Sequence, residues 1–378
     1  MRLPGLCLTV ALASTACKKG DGPKEPDPWP ADMKPGEEWV PPREAEDIAK
    51  SEAILLDFVQ KRFDETGMAH RDAHMKAHGC VTAEVTIADA LPPELAVGLF
   101  AEPATYQAWV RFSNSADHFQ RDRKADGRGM AIKLMNVPGK KALPGHEEEP
   151  SQDIVLINYP AFVVKNAADY VEFTQDSTIG HPLRFFFHEG KSYRPELTNA
   201  EKLALQRVVS PVQPTYYSMT PYLFGEGMAI KYGAKPCNAD TRKRRKFGKN
   251  YLREQMEADI GAEGACFELQ VQRQTDPNRM PIEDPTVKWP TDVSPYRTVA
   301  RIEIPAQAFN TTAQDEMCEY MSFNPWHTRS EHRPLGGINR VRKSVYVAIS
   351  NLRHGLDGVK SVEPTNHDVA AYLASIRE

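Results

Sequence analysis

Two periods of hydrophobic residues alternate along the chain. From Ser51 a helical period puts Ile54, Leu55, Phe58, Val59 and Phe63 on one face, with Ser51 as the expected N-cap and Gly67 placed to end the helix. The period then drops to two. Val81, Val85 and Ile87 alternate with Thr82, Glu84 and Thr86; Ala108, Val110 and Phe112 with Trp109, Arg111 and Ser113; Met130, Ile132 and Leu134 with Ala131 and Lys133. This is the pattern of antiparallel strands with one buried face. Asp153–Asn158, Cys266–Gln272 and Thr298–Ile304 bring the set to about six strands, enough for a closed or nearly closed barrel. Helical periodicity returns at Ala167–Gln175, Asn199–Val209, Asn339–His354 and His367–Ile376. In the third of these Asn339 is the expected N-cap, and Val341, Val345, Ala348, Ile349 and Leu352 form the apolar face. The expected class is therefore α+β, an antiparallel β-barrel with flanking helices, and no βαβ alternation or internal repeat competes with it.

The N-terminus has a different character. Arg2, the short apolar run Leu3–Ala13 and the small residues Ser14-Thr15-Ala16 read as an export signal over residues 1–16. Cys17 follows at once, and Ser-Thr-Ala-Cys resembles a bacterial lipoprotein box, with Ser14 where such boxes usually carry Leu. The expectation is a lipid anchor at Cys17 on the periplasmic side of a membrane. Residues 17–50, with Pro23, Pro26, Pro28, Pro30, Pro35, Pro41 and Pro42, read as an extended tether, and 51–378 as the folded domain.

Composition narrows the function. With 378 residues, 41% hydrophobic and 26% charged, the chain is too apolar for disorder and long enough to enclose a pocket. A formal charge of −4 gives no general attraction to nucleic acid, and the basic run Arg242–Lys246 reads as a solvated loop face. Cys80, Cys237, Cys266 and Cys318 allow three pairings in an oxidising compartment, which the sequence does not separate.

Two constellations carry chemistry. His70, His74 and His78 would align as zinc ligands on a helix, but Gly67 and Gly79 bracket them and a strand follows, which argues against that helix. Arg342-x-x-x-Tyr346 puts a guanidinium one helical turn from a phenol, a means of keeping a tyrosinate ionised as an iron ligand. Such pairs are common on helix surfaces, so the spacing alone is weak.

Their surroundings are more specific. Arg71-x-x-His74, Arg111-Phe112-Ser113, Asp126-Gly127-Arg128-Gly129-Met130-Ala131-Ile132-Lys133, Asp153-Ile154-Val155 with Pro160 and Phe162, Tyr170, and finally Arg342 with Tyr346 resemble, in order, the motifs of the haem catalases. The resemblance covers roughly Phe63–Arg353. It implies a catalase-like barrel holding haem b, with Tyr346 as axial iron ligand kept anionic by Arg342, and His74 as distal acid–base oriented by Ser113. It further implies Arg71 and Arg111 on the haem propionates, Tyr170 against the ring, and a tendency to homo-oligomerise. The substrate implied is hydrogen peroxide or an organic or lipid hydroperoxide.

The chain departs from that pattern in two respects. Aligned without a gap, Ile157 falls where catalases carry a distal Asn, and Asn158 replaces it only if a bulge shifts the strand register. The C-terminal helical region also looks reduced. An apolar distal pocket suits an organic hydroperoxide, and a haem-binding or haem-sensing lipoprotein without turnover, or a haem-free scaffold, are the alternative readings. The segment Phe323–Arg340, with Trp326, His327 and His332, resembles small bacterial catalase-related proteins and is expected to pack the barrel end.

Overall fold

The computed structural model describes residues 29–30, 32–188, 193–238 and 248–377. The export signal, Cys17 and the basic run at 242–246 lie outside them. The elements are α1 (Glu44–Thr66), β1 (Ala77–Ile87), β2 (Thr105–Asn114), β3 (Arg128–Leu134), β4 (Gln152–Ile157), α2 (Ala167–Thr178), α3 (Arg194–Ala204), β5 (Tyr216–Tyr217), β6 (Tyr222–Leu223), β7 (Ala229–Pro236), α4 (Tyr251–Glu263), β8 (Ala265–Arg273), β9 (Arg297–Ile304), α5 (Thr312–Tyr320), α6 (Gly337–Asp357) and α7 (Val369–Arg377).

All strand pairings are antiparallel. The order β4-β3-β2-β1-β9-β8-β7-β5 closes on itself where Tyr217 of β5 pairs with Ile157 of β4, giving an eight-stranded barrel, with β6 paired to the far end of β7. Closure leaves no open sheet edge in the ring. The inward side chains Val81, Val110, Phe112, Ile132, Ile154, Phe267 and Ile302 fill the interior, and their alternating neighbours face outward. The six strands expected from the sequence are present. β7, which closes the ring with β5, was not among them, although its Ile230, Tyr232 and Ala234 alternate with Lys231, Gly233 and Lys235.

A helical layer covers one outer wall. α1, α2 and α6 meet through Leu55, Val59, Ala167, Val341, Val345 and Ile349. α1 begins at Glu44, earlier than expected, with Glu44, Glu46 and Asp47 in its first turn where negative charge complements the helix dipole, and Ser51 is buried in mid-helix. Gly67 ends it in the left-handed conformation, φ 71°.

The stretch read as tether is thus partly folded. Glu38 pairs with Arg333 at 2.6 Å and Arg340 at 2.7 Å and accepts the Gly336 N–H at 2.8 Å, while Glu283 accepts the Gly337 N–H at 2.9 Å. Two carboxylates therefore stand at the N-terminus of α6. Asn339, the expected cap, lies inside the helix and bonds Thr220 at 3.0 Å and the Pro221 carbonyl at 2.8 Å. α3 likewise starts at Arg194 rather than Asn199, because Pro195 sits at its first turn, where a fixed φ suits helix initiation. Disulfides join Cys80 to Cys318 and Cys237 to Cys266. Among the described residues, no helix is long and apolar enough to cross a membrane.

Candidate active site

The outward face of β2–β3–β4 forms the floor of the site. Cross-strand register aligns Ser113, Gly129 and Ile157 in one row, Arg111, Ala131 and Val155 in the next, and Trp109, Lys133 and Asp153 in a third, each row about 7 Å from the last. Gly129, Ala131 and Val155 keep this floor low. α6 lies opposite with Arg342, Tyr346, Ile349, Ser350 and Arg353, and a cavity of about 350 Å³ separates the two walls. A larger groove of about 950 Å³, lined by Glu84, Asp259, Glu263 and Glu303 beside Cys237 and Cys266, contains none of the expected site residues.

On the floor side, His74 sits in the turn before β1 with φ 55°, held by its N–H to the Ser115 carbonyl at 3.1 Å. Its Nδ1 is 3.0 Å from Ser113 Oγ, the contact expected to orient it. Burial, then the charges of Arg111, Arg342 and Arg71, push its pKa down to about 3, so the imidazole is neutral and keeps a lone pair. No helix joins His70, His74 and His78, and no metal-holding cluster of His, Cys, Asp or Glu occurs among the described residues. His78 instead bonds Asn114 at 2.9 Å, and His70 faces Glu319 at 3.7 Å.

On the α6 side, an Arg342 terminal nitrogen donates to the Tyr346 hydroxyl at 3.1 Å; the other reaches Asn339 at 3.1 Å and Thr220 at 3.3 Å. Arg342 is 8% exposed and has no carboxylate within ion-pair distance among the described residues. Burial opposes its charge, yet the phenol oxygens of Tyr346 and Tyr222 outweigh that and hold it firmly protonated. Tyr170 also lines the cavity, its pKa raised by burial.

At one end three guanidiniums converge. Arg71 pairs with Glu319 at 3.0 Å and donates to the Met321 carbonyl at 2.7 Å; Arg353 reaches Glu319 at 3.3 Å; Arg111 donates to the His74 carbonyl at 2.9 Å. Burial works against the Glu319 carboxylate, but Arg71, His70 and Arg353 hold it at a pKa of about 2. Arg71, Arg111 and Arg353 thus gather around Glu319, with Asp72 and Asp357 also near Arg353, and buried Arg111 Nε makes no hydrogen bond. Arg353 and Glu319 escaped the sequence reading. Arg353 carried a signal, since eleven residues past Arg342 returns to the same helix face.

Asn158 is not at the cavity. β3–β4 register runs through Gly129↔Ile157 without a bulge, so Ile157 lines the site and Asn158 turns away. Its Oδ1 accepts the Arg128 N–H at 2.7 Å, and its Nδ2 donates to Gln206 at 3.2 Å. Of the residues expected at the barrel end, His332 packs there against Phe100 and Phe224, whereas His327 reaches the cavity. Ile157, Phe162, Val163, Phe173, Leu203 and Met219 make one side of the cavity apolar.

No family model matches the sequence, and no curated protein does. Solved structures do. The fold is similar to that of a fungal catalase (TM-score 0.61, 18% identity, 78% of this chain and 61% of that one). Catalase A from Saccharomyces cerevisiae (TM-score 0.60, 16% identity, 79% and 64%) and a bacterial catalase (TM-score 0.57, 16% identity, 93% and 67%) are also similar. The chain thus has a catalase-like fold and spans about two thirds or less of those chains.

Proposed function

We propose that this chain is a haem-dependent peroxide-metabolising enzyme acting on organic hydroperoxides in preference to hydrogen peroxide. The observation that carries the reading is Arg342, buried with no carboxylate in ion-pair distance among the described residues and bonded to Tyr346 at 3.1 Å across a slot from the His74–Ser113 pair. The residues fit haem. Tyr346 would ligate the iron, Tyr170 would flank the ring over the low floor of Gly129 and Ala131, and the guanidiniums of Arg71, Arg111 and Arg353 would meet two propionates. Bound there, haem supplies the redox centre at which the peroxide O–O bond is cleaved.

The protein's own part is proton handling and exclusion of water. His74, neutral at rest, takes a proton from one peroxide oxygen and delivers it to the other as that oxygen departs. Ser113 fixes the ring for both events, and Arg342 donates a hydrogen bond to the Tyr346 oxygen. Ile157, Leu203 and Met219, with Phe162 packed against them, give an apolar wall suited to an alkyl chain rather than to a small polar peroxide. The same Ile157 favours the second reading, haem binding without turnover.

Two disulfides, Cys80–Cys318 and Cys237–Cys266, support an exported location, and with the lipoprotein-like Cys17 they support a periplasmic, lipid-anchored protein. The test is to add haemin to the protein, record the absorption spectrum of wild type and Tyr346→Phe, and measure turnover of hydrogen peroxide and cumene hydroperoxide. A Soret band altered in Tyr346→Phe, with faster cumene hydroperoxide consumption, is expected. Absence of any haem complex overturns the reading; a complex inert to both peroxides leaves haem binding as the function.

A further inference from the structure

The arginine end of the cavity depends on a segment remote in sequence. Cys80 of β1 is the cross-strand partner of Arg111, and its disulfide ties that position to Cys318 in α5. Cys318 belongs to the short stretch that holds the other two guanidiniums: its carbonyl accepts from Arg71 at 3.3 Å, Glu319 pairs with Arg71 and Arg353, and the Met321 carbonyl takes a second bond from Arg71. Among the described residues, one other polar link joins the α5 side to Cys80, from Gln314 Nε2 to the Cys80 carbonyl at 2.8 Å.

We infer that the Cys80–Cys318 disulfide is a positioning element for the anion-binding end of the site, setting the distance between Arg111 and the Arg71–Glu319–Arg353 group. Both sulfurs are buried, so the bond is a fixed brace rather than a surface switch. The charges need such a brace. Arg111, Arg71 and Arg353 repel one another, as the lowered pKa of Arg353, about 10 through burial and then Arg71, reflects. Without the crosslink, α5 can relax away from β1 and widen the spacing that a dicarboxylate must bridge. The site is then fully assembled only where disulfides form. Cys237–Cys266 lies beside the larger groove and touches none of these groups, which makes it an internal control.

This inference rests on the haem reading, and its test separates the two. Affinity for haemin and for haemin dimethyl ester, which lacks the propionate charges, is measured by absorbance titration. The proteins are wild type, Cys80→Ala/Cys318→Ala, the volume-restoring Cys80→Val/Cys318→Ala, and Cys237→Ala/Cys266→Ala, all well below their melting temperatures. Removal of Cys80–Cys318 is expected to weaken haemin binding about tenfold, on the scale of one lost charge-assisted hydrogen bond, and to leave the ester unchanged. Removal of Cys237–Cys266 should change neither. Equal weakening of both ligands, equal effects of both disulfides, or failure of both Cys80–Cys318 variants to fold overturns the inference by making the bond a general staple. If wild type binds neither ligand, the haem reading fails first.

Discussion

Gly129 lies directly under His74: a Cβ at this position would stand 2.5 Å from Nδ1 of the imidazole and 2.8 Å from Ser113 Oγ. Since Gly129 is on a rigid central strand and His74 in a turn, the imidazole must yield. Gly129→Ala is expected to displace His74 by about 1 Å and to lower kcat for hydroperoxide about 100-fold, with haem affinity retained. Stopped-flow kinetics beside a haemin titration read the two effects separately, and an unchanged kcat would remove His74 from the chemistry.

The Arg342–Tyr346 pair makes a prediction that needs no haem. Tyr346→Phe takes an acceptor from a guanidinium that has no carboxylate in ion-pair distance among the described residues, so the protein should lose roughly 1–3 kcal/mol of stability. Arg342→Met/Tyr346→Phe, which removes the charge as well, should be less destabilised than the single Tyr346→Phe variant. Urea unfolding of the three proteins decides it; a double variant worse than the single would show that Arg342 finds its charge balance elsewhere.

Much of this was legible in the sequence, for identifiable reasons. β1 to β4 announce themselves because their inward residues meet only other apolar residues, which leaves strict alternation. β7 carries the same alternation, Ile230, Tyr232 and Ala234 against Lys231, Gly233 and Lys235, yet its outward Lys231 is itself buried, donating to the Val287 carbonyl and lying over Trp289, so a residue that reads as surface belongs to a covered wall. β5 closes the barrel with two residues, too few for any period. At the site, Ser113, Arg342 and Tyr346 came with ordered motifs on regular elements, and His74 with an ordered motif in the turn before β1. Glu319 could not be foreseen, since its partners Arg71 and Arg353 reach it only through the folded chain.

Acid should weaken the barrel end through His332. Its Nε2 accepts the Leu99 N–H at 2.9 Å, so protonation of that nitrogen must break the bond. Burial lowers its pKa from 6.5 to about 4. A depressed folded-state pKa means that the contribution is complete above pH 6.5 and is lost as pH falls toward 4, at up to about 1.4 kcal/mol per pH unit. Urea titrations at intervals across that window should give a slope flatter by that amount in His332→Gln than in wild type; parallel slopes would mean that His332 does not titrate with unfolding.

Substrate preference should turn on Ile157. Because β3–β4 pairing runs unbroken to Gly129↔Ile157, the side chain at 157 is aimed into the cavity, and Asn158 cannot take its place while bonded to Arg128 and Gln206. Ile157→Asn would bring an amide beside His74 and remove a branched apolar group from the wall shared with Leu203 and Met219. Hydrogen peroxide gains a hydrogen-bond donor, and an alkyl hydroperoxide loses contact surface. The expected result is a rise of about tenfold in kcat/KM for hydrogen peroxide, the equivalent of one hydrogen bond of roughly 1.4 kcal/mol, with a fall for cumene hydroperoxide. Asn158→Leu, by contrast, should lower stability and leave the ratio of the two substrates alone. A ratio that moves with Asn158 and not with Ile157 would place the distal polar group at 158 and reverse the assignment of the wall.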